Sequence, residues 1–143
     1  MLDGLTFPDD LLYLVEHDVW ARPGAEGEVT VGITALGIRL SGEIYMCRPK
    51  PVGSDVAQGR AIAVVELAKA IVSVKSAVSG RVIAINPRLA DEPELVHRDP
   101  YGAGWIARLQ WLSPDDDRAL LLDADAARPA LEQHARSLGE GDR

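Results

Sequence analysis

Short apolar runs separated by turn residues fill most of the chain, and they limit its fold more than any other feature. Between about residue 11 and residue 112, glycine or proline interrupts nearly every run. Residues 28–34 alternate polar and apolar side chains, which is the pattern of a half-buried strand. Many short strands at roughly regular spacing predict a mostly β fold, an antiparallel sandwich or flattened barrel. The predicted strands are residues 12–16, 19–21, 28–34, 43–47, 61–66, 71–74, 81–86 and 105–109, with short helices at 35–40 and 87–95.

The chain changes character at Ser113. Ser113, Pro114 and the three aspartates that follow are typical of a helix start, with serine at the N-cap, proline at N1 and acids in the first turn. An alanine- and leucine-rich stretch follows, and Pro129 predicts that its helix is split into two pieces. We therefore expect a β domain over residues 1–112 and a helical C-terminal extension over residues 113–143.

The composition excludes several classes of partner. The 143 residues carry a net charge of −7 and show no basic cluster along the sequence, so neither nucleic acid nor an anionic membrane surface is an expected partner. No apolar run approaches the length of a spanning helix. The chain starts without a basic segment or a cleavage pattern, and its single cysteine cannot form an internal disulfide, so we expect cytoplasmic residence.

Lys69 occupies a short polar break between two apolar runs, residues 61–66 and 71–74. If both runs are strands, Lys69 lies at the tip of a β-hairpin, flanked by Ala68 and Ala70. A rigid, exposed amine with small neighbours is what an acylating enzyme needs. On spacing alone an ordinary solvated turn lysine is the preferred interpretation. The sequence contains only three lysines, so few residues compete for such a role.

The other candidate side chains carry weaker signals. Lys75 lies in an alternating segment, which places it on the polar face of a strand. Cys47 has no second cysteine nearby, and a packed core thiol is its preferred interpretation over a redox role. The three histidines are dispersed, and no metal-ligand spacing, catalytic triad or phosphate loop is visible.

Several short motifs follow one another in fixed order along the chain. They are residues 31–34, Val52-Gly53 with Gly59, Val64-Val65-Glu66 with Lys69-Ala70, Ala77-Val78-Ser79-Gly80, Asn86, and Asp99-Pro100-Tyr101-Gly102 with Gly104-Trp105. Together they resemble the H-protein of the glycine cleavage system, a member of the lipoyl-domain superfamily. The resemblance covers about 100 residues and is most specific near the end of the β region.

This resemblance implies a barrel-sandwich hybrid fold and lipoic acid attached to Lys69 through an amide bond. It also implies that Glu66, three residues before the lysine, helps a lipoate ligase or other lipoylating enzyme to recognise the site. Biotin is the alternative acyl group, but biotinyl domains flank their lysine with methionine. The alanines at 68 and 70 therefore favour lipoate.

A lipoyl protein is a carrier and not an enzyme, because its swinging arm visits the active sites of other proteins. In glycine cleavage the partners are glycine decarboxylase, aminomethyltransferase and dihydrolipoyl dehydrogenase, and the arm carries an aminomethyl group. In the related lipoate-binding H-like proteins, the partner is a heterodisulfide-reductase-like complex for sulfur oxidation.

Departures from the usual H-protein pattern favour the sulfur-oxidation branch as the first expectation. They include Leu67-Ala68 before the lysine, Asp18-Val19 inside the His17 to Trp20 segment, and the long tail after Trp111. The H-protein of the glycine cleavage system is the alternative. A relative that kept the fold as an unmodified scaffold is a third hypothesis.

Overall fold

A computed structural model describes residues 4–141, with side chains described up to residue 137. Two antiparallel sheets enclose the main core, and a long C-terminal helix covers a second one. The nine strands are β1 (Leu12–Leu14), β2 (Val19–Pro23), β3 (Glu28–Ile33), β4 (Met46–Pro49), β5 (Asp55–Val56), β6 (Ala61–Glu66), β7 (Ile71–Lys75), β8 (Gly80–Ile85) and β9 (Ala107–Trp111). The α-helices are α1 (Ala35–Ser41), α2 (Leu95–Arg98), α3 (Pro114–Arg118) and α4 (Ala124–Gly141), with 3₁₀ turns at Val15–His17, Ala25–Gly27 and Pro87–Ala90.

The larger sheet has six strands in the order β1-β2-β3-β9-β8-β5, and the smaller sheet has three in the order β4-β6-β7. The sheets face each other without closing into a barrel, and this arrangement confirms the expected barrel-sandwich fold. Alternate residues of the strands point into the space between the sheets, where Val31, Ile62, Val82 and Leu109 are almost fully buried. Burial of this apolar surface is the main stabilising contribution to the sandwich.

The second core lies between the larger sheet and helix α4. Ala127, Leu131 and Ala135 lie on one side of α4 and pack against Tyr13 and Trp20. Just before the helix, the backbone of Leu122 exchanges two hydrogen bonds with that of Tyr13, of 2.7 and 3.0 Å. The tail therefore adds a short bridge to β1 before its helix crosses the sheet. The division at residue 113 stays a prediction.

The prediction for Pro129 was wrong in its position. The tail does form two helices, but the break falls at residues 119–123, and α4 runs through Pro129 without interruption. A proline inside a helix removes one hydrogen bond, here to the carbonyl of Asp125 in the first turn. The proline ring is on the exposed side of α4, while Ala127 and Leu131 stay buried in the second core. Packing of that face offsets the lost bond.

Several element boundaries also differ from the predictions. The last strand begins at Ala107 and not at Trp105, and β4 begins at Met46 and not at Glu43. The predicted helix over residues 87–95 is a 3₁₀ turn followed by α2. Ser113 does occupy the N-cap of α3, with Pro114 in the first turn, but its side chain makes no capping hydrogen bond. Among residues 4–141, no helix combines the length and hydropathy needed to cross a membrane.

Candidate functional site

Strands β6 and β7 form the hairpin that carries the candidate lysine. Val65 pairs with Val72 and Glu66 with Ile71, so residues 67–70 make a four-residue connection. The backbone N–H of Leu67 donates to the carbonyl of Ala70 over 2.8 Å and closes this loop. Connections of this length are common in hairpins and hold their tip in a defined position. The structure thus places Lys69 at the tip of a hairpin.

The amine of Lys69 is available for chemistry. Lys69, Ala68 and Ala70 are all exposed, and among the described residues no hydrogen bond or ion pair engages Lys69. The methyl side chains on either side leave space for an enzyme to approach the amine. Acylation of a lysine in this position removes one positive charge without burying any group. The geometry fits an amide-linked lipoyl group, which Lys69 would hold.

Glu66 ends strand β6, three residues before the lysine. Its side chain is exposed, while its backbone carbonyl accepts a 2.8 Å hydrogen bond from the N–H of Tyr45. Within the described residues no ion pair uses its carboxylate. The backbone of Glu66 is therefore fixed, and its charge remains free for an approaching protein. Its role in recognition by a lipoylating enzyme stays a prediction.

The other two lysines occupy different settings. Lys75 ends β7, is partly buried and donates from Nζ to the hydroxyl of Ser73 over 2.9 Å. Lys50 follows β4 and is exposed, between two prolines. Neither residue lies in a hairpin tip. Of the three lysines, only Lys69 therefore combines exposure with a turn that projects from the sheet.

A cleft of about 110 Å³ opens beside the strand that follows the lysine. Val72, Ser73 and Val74 of β7 form one wall, and His17 and Asp18 lie on another. Val72 is three positions after Lys69, so their Cα atoms are at most about 11 Å apart. No pattern in the sequence indicates this cleft, because its walls come from segments about 50 residues apart.

Asp18 and His134 connect the cleft to helix α4. His134 Nε2 lies 2.9 Å from Asp18 Oδ1, and both side chains are largely buried. Burial raises the pKa of Asp18, and the nearby His134 opposes that shift. Asp18 itself has a left-handed backbone (φ 61°) at the turn into β2. This contact joins residues 116 positions apart, and no pattern in a single sequence indicates it.

The most specific motif of the sequence, residues 99–105, forms a turn in which Gly104 is buried and the other residues are partly or fully exposed. Asn86 Nδ2 donates to the carbonyls of Ala103 (2.7 Å) and Trp105 (2.8 Å). Trp20 Nε1 donates to the carbonyl of Pro100 over 3.2 Å. Gly104 is required because a Cβ there would overlap the carbonyl oxygen of Leu95. These contacts give the motif a structural role.

The tryptophan that ends this motif is not a core residue. Trp105 is only partly buried at the edge of the second core, and the guanidinium of Arg108 lies 5.3 Å from its ring centroid. Trp20 is the fully buried tryptophan.

The remaining candidates are the thiol of Cys47 and the side chains that could bind a metal ion. Cys47 is 3% exposed, which confirms a packed thiol, and burial raises its pKa to about 12. A thiol with such a pKa is almost entirely protonated at neutral pH and is a poor nucleophile. Among the described residues, no group of three histidine, cysteine or carboxylate side chains is placed to hold a metal ion.

Comparison with known proteins gives a consistent result. The family model described as "Glycine cleavage H-protein" matches residues 11–134. "Glycine cleavage system H protein 2" of Aquifex aeolicus (strain VF5) is 36% identical over 131 residues, which are 92% of this chain and 81% of the relative. "Glycine cleavage system H protein" of Cronobacter sakazakii (strain ATCC BAA-894) is 41% identical over 125 residues, 87% of this chain and 95% of the relative.

A solved structure is similar as well. The crystal structure of a glycine cleavage system H protein from Mycobacterium marinum superposes with a TM-score of 0.72 and 29% sequence identity. The match covers 93% of this chain and 99% of the other. It therefore includes both sheets and most of the C-terminal helix.

Proposed function

The chain belongs to the glycine cleavage H-protein family, and from that premise we propose that it is a lipoyl carrier with lipoic acid amide-linked to Lys69. The observation that carries the proposal is the free, exposed amine at the closed tip of the β6–β7 hairpin. The bound lipoyl group would supply two redox-active sulfurs that accept electrons or an attached one-carbon group.

The chain's own residues present the arm and do not catalyse a reaction. The backbone bond from Leu67 to Ala70 holds the tip, and the pairing of β6 with β7 joins it to the folded sheet. A tethered arm reaches several partner active sites at high effective concentration, so no single partner has to bind tightly. This division of labour supports a carrier role within a multi-enzyme system.

We propose that the system is glycine cleavage. The relatives quoted above carry that name, and they match at 36% and 41% identity. The partners would be glycine decarboxylase, aminomethyltransferase and dihydrolipoyl dehydrogenase, and the group carried would be the aminomethyl group of glycine. A lipoate ligase or another lipoylating enzyme would attach the cofactor.

The sulfur-oxidation system was our first expectation from the sequence, and the comparisons give it no support. The departures at Leu67-Ala68 and in the tail do not alter the fold or the hairpin. We therefore do not propose a heterodisulfide-reductase-like complex as the partner. The unmodified scaffold is a distinct outcome of the experiments below.

Reconstitution tests the proposed function. The lipoylated chain is mixed with glycine decarboxylase from the same organism, and incorporation of labelled bicarbonate into glycine is followed. We expect exchange that saturates with the carrier and that Lys69→Arg abolishes. Lys75→Arg is the matched control and should retain the exchange rate. No exchange with the lipoylated wild-type chain would contradict a role in glycine cleavage.

A further inference from the structure

Positive charge is concentrated on the part of the molecule that carries the hairpin. Residues 46–76 contain five basic and two acidic side chains, whereas the rest of this acidic chain holds ten basic and twenty acidic ones. This segment includes the whole smaller sheet. The net charge of −7 is therefore distributed unevenly between this segment and the rest of the chain. An acidic protein that exposes a separate basic area has an electrically distinct face at which a partner can dock.

In the part of the chain that the structure describes, no acidic partner is found for the basic side chains on and beside the smaller sheet. Arg48 and Lys50 are exposed, and no ion pair or hydrogen bond engages either side chain within the described residues. Lys75 donates only to the neutral hydroxyl of Ser73. Four arginines on other elements form ion pairs: Arg22 with Asp10, Arg81 with Asp55, Arg88 with Glu92, and Arg98 with Glu94.

The strand register brings these cations onto one surface. Arg48 pairs with Val64, and Val64 pairs in turn with Ser73, the hydrogen-bond partner of Lys75. We call Arg48, Lys50 and Lys75, together with the Val64 between them, the cationic face. Arg48 and Lys50 also border a shallow depression of about 210 Å³ whose floor is apolar and includes Pro49, Ala63 and Val64.

The cationic face lies close to the arm. The row from Arg48 through Val64 to Ser73 is two residues from the pair Glu66 and Ile71, which is the last pair before the tip. Two residues of strand span about 7 Å. The exposed Ile71, two residues before Ser73 and on the same face of β7, continues the apolar surface towards Lys69. A protein that contacts the face is therefore positioned over the arm.

We propose that the cationic face is the docking surface for an acidic patch on an enzyme that loads or unloads the arm, with one apolar side chain of that enzyme seated in the depression. The inference rests on the proposed function, because it assigns the surface through which the same carrier meets its partners. Unpaired charges at the rim of an interface mainly accelerate encounter and orient the partners. Rapid, weak docking suits a carrier that must leave each partner after one transfer.

Charge complementarity distinguishes this occupant from a second copy of the chain. Asp9, Asp123 and Asp125 line an acidic depression beside the start of α4, and it could in principle accept the cationic face of another molecule. Such a contact is head-to-tail, so it would build a ring or an open chain of molecules. We favour the enzyme, because self-association through this surface would cover the region next to Lys69.

The test compares two double variants of the full-length lipoylated chain. Arg48→Glu with Lys50→Glu reverses the charge of the face. Arg128→Glu with Arg136→Glu makes the same change in net charge at exposed positions on α4. Glycine decarboxylase, aminomethyltransferase and dihydrolipoyl dehydrogenase are assayed separately, and the KM and kcat for the carrier are determined with each enzyme. Melting temperatures confirm that both variants are folded.

The face variant should raise the KM for the carrier about tenfold with at least one enzyme and leave kcat within twofold. The α4 variant should keep every KM within about twofold. The wild-type KM should rise with ionic strength, and the face variant should lose that dependence, since salt screens exposed charges. An unchanged KM for the face variant with all three enzymes would overturn the inference.

Two other results would overturn it in distinguishable ways. If none of the three enzymes accepts the wild-type carrier, the proposed function fails and the inference fails with it. If sedimentation shows that the wild type self-associates and the face variant is monomeric, the face binds a second copy of the chain and not an enzyme.

Discussion

Two turns of this molecule carry the most specific sequence signals, and they are built in opposite ways. The loop of residues 67–70 is held by one internal backbone hydrogen bond and exposes three of its four side chains. The turn of residues 99–105 has internal hydrogen bonds as well, and side chains from other parts of the chain, among them Asn86 and Trp20, bind its backbone. The first turn presents a residue to other proteins, and the second holds the fold together.

A specific motif therefore does not by itself mark a functional site. The partners of the 99–105 turn lie within the protein, so its residues are explained by packing and hydrogen bonding. Within the described residues Lys69 and the carboxylate of Glu66 have no partner, so packing does not explain them. An exposed, specific and unpartnered residue is a better indication of function than a buried one. The variants below should show this contrast, from the largest effect on stability to the smallest.

Trp20→Ala should have the largest effect. Trp20 is fully buried, packs in the second core and donates from Nε1 to the carbonyls of Ile33 (3.1 Å) and Pro100. Removal of such a side chain leaves a cavity and deprives the two carbonyls of their hydrogen-bond donor. We expect the free energy of unfolding to fall by about 3–5 kcal/mol. Urea denaturation measures the loss. The exposed Leu112→Ala is a control that should change the free energy of unfolding by less than about 0.5 kcal/mol.

Asn86→Ala should have an intermediate effect on the same turn. The Asn86 side chain donates to the carbonyls of Ala103 and Trp105 and accepts from the N–H of Arg88. Without it, the carbonyls of Ala103 and Trp105 and the N–H of Arg88 lose a hydrogen-bond partner. We expect the free energy of unfolding to fall by about 1–3 kcal/mol. Ser54→Ala is the control, because it removes one exposed hydrogen bond to Pro51. Equal losses for both variants would show that the turn is not held as we describe.

Lys69→Arg should leave stability unchanged and abolish modification. The side chain is exposed, so the free energy of unfolding should change by less than about 0.5 kcal/mol. A guanidinium is not an acyl acceptor, so no lipoyl group can be attached. Denaturation and intact mass measure the two effects on one sample. A clear loss of stability would contradict the exposed hairpin tip.

Glu66→Ala should have the smallest effect, confined to the rate of lipoylation. Among the described residues the carboxylate has no hydrogen-bond or ion-pair partner, and Glu66 lies three residues before the lysine. We expect slower lipoylation by a lipoate ligase, measured under initial-rate conditions, and an unchanged melting temperature. Glu132→Ala on α4 is the control for loss of one exposed acid. Equal rates for wild type and Glu66→Ala would remove Glu66 from the recognition site.

The sequence predicted the features that depend on local pattern. Alternation located most strands, and the polar break at Lys69 predicted the hairpin tip. A local turn moved one boundary: the N–H of Trp105 donates to the carbonyl of Gly102, three residues earlier, which keeps Trp105 in the turn and delays β9 to Ala107. Tertiary packing also let α4 continue through Pro129, where propensity alone predicted a break.

The remaining features depend on residues far apart in the chain. Asp18 meets His134 only because α4 crosses the larger sheet. The cationic face brings Arg48 of β4 and Lys75 of β7 together through the register of three strands, so the sequence showed no basic cluster. A single sequence carries the strands and their turns, but the pairing between strands decides which charges share a surface.

Peptide mapping by mass spectrometry shows directly whether Lys69 carries a lipoyl group. The protein is purified from cells that lipoylate other proteins, digested, and the peptide containing Lys69 is weighed and fragmented. We expect the mass increase of an amide-linked lipoyl group on Lys69 and no increase on Lys50 or Lys75. An unmodified Lys69 in those cells would contradict the carrier role and favour the scaffold.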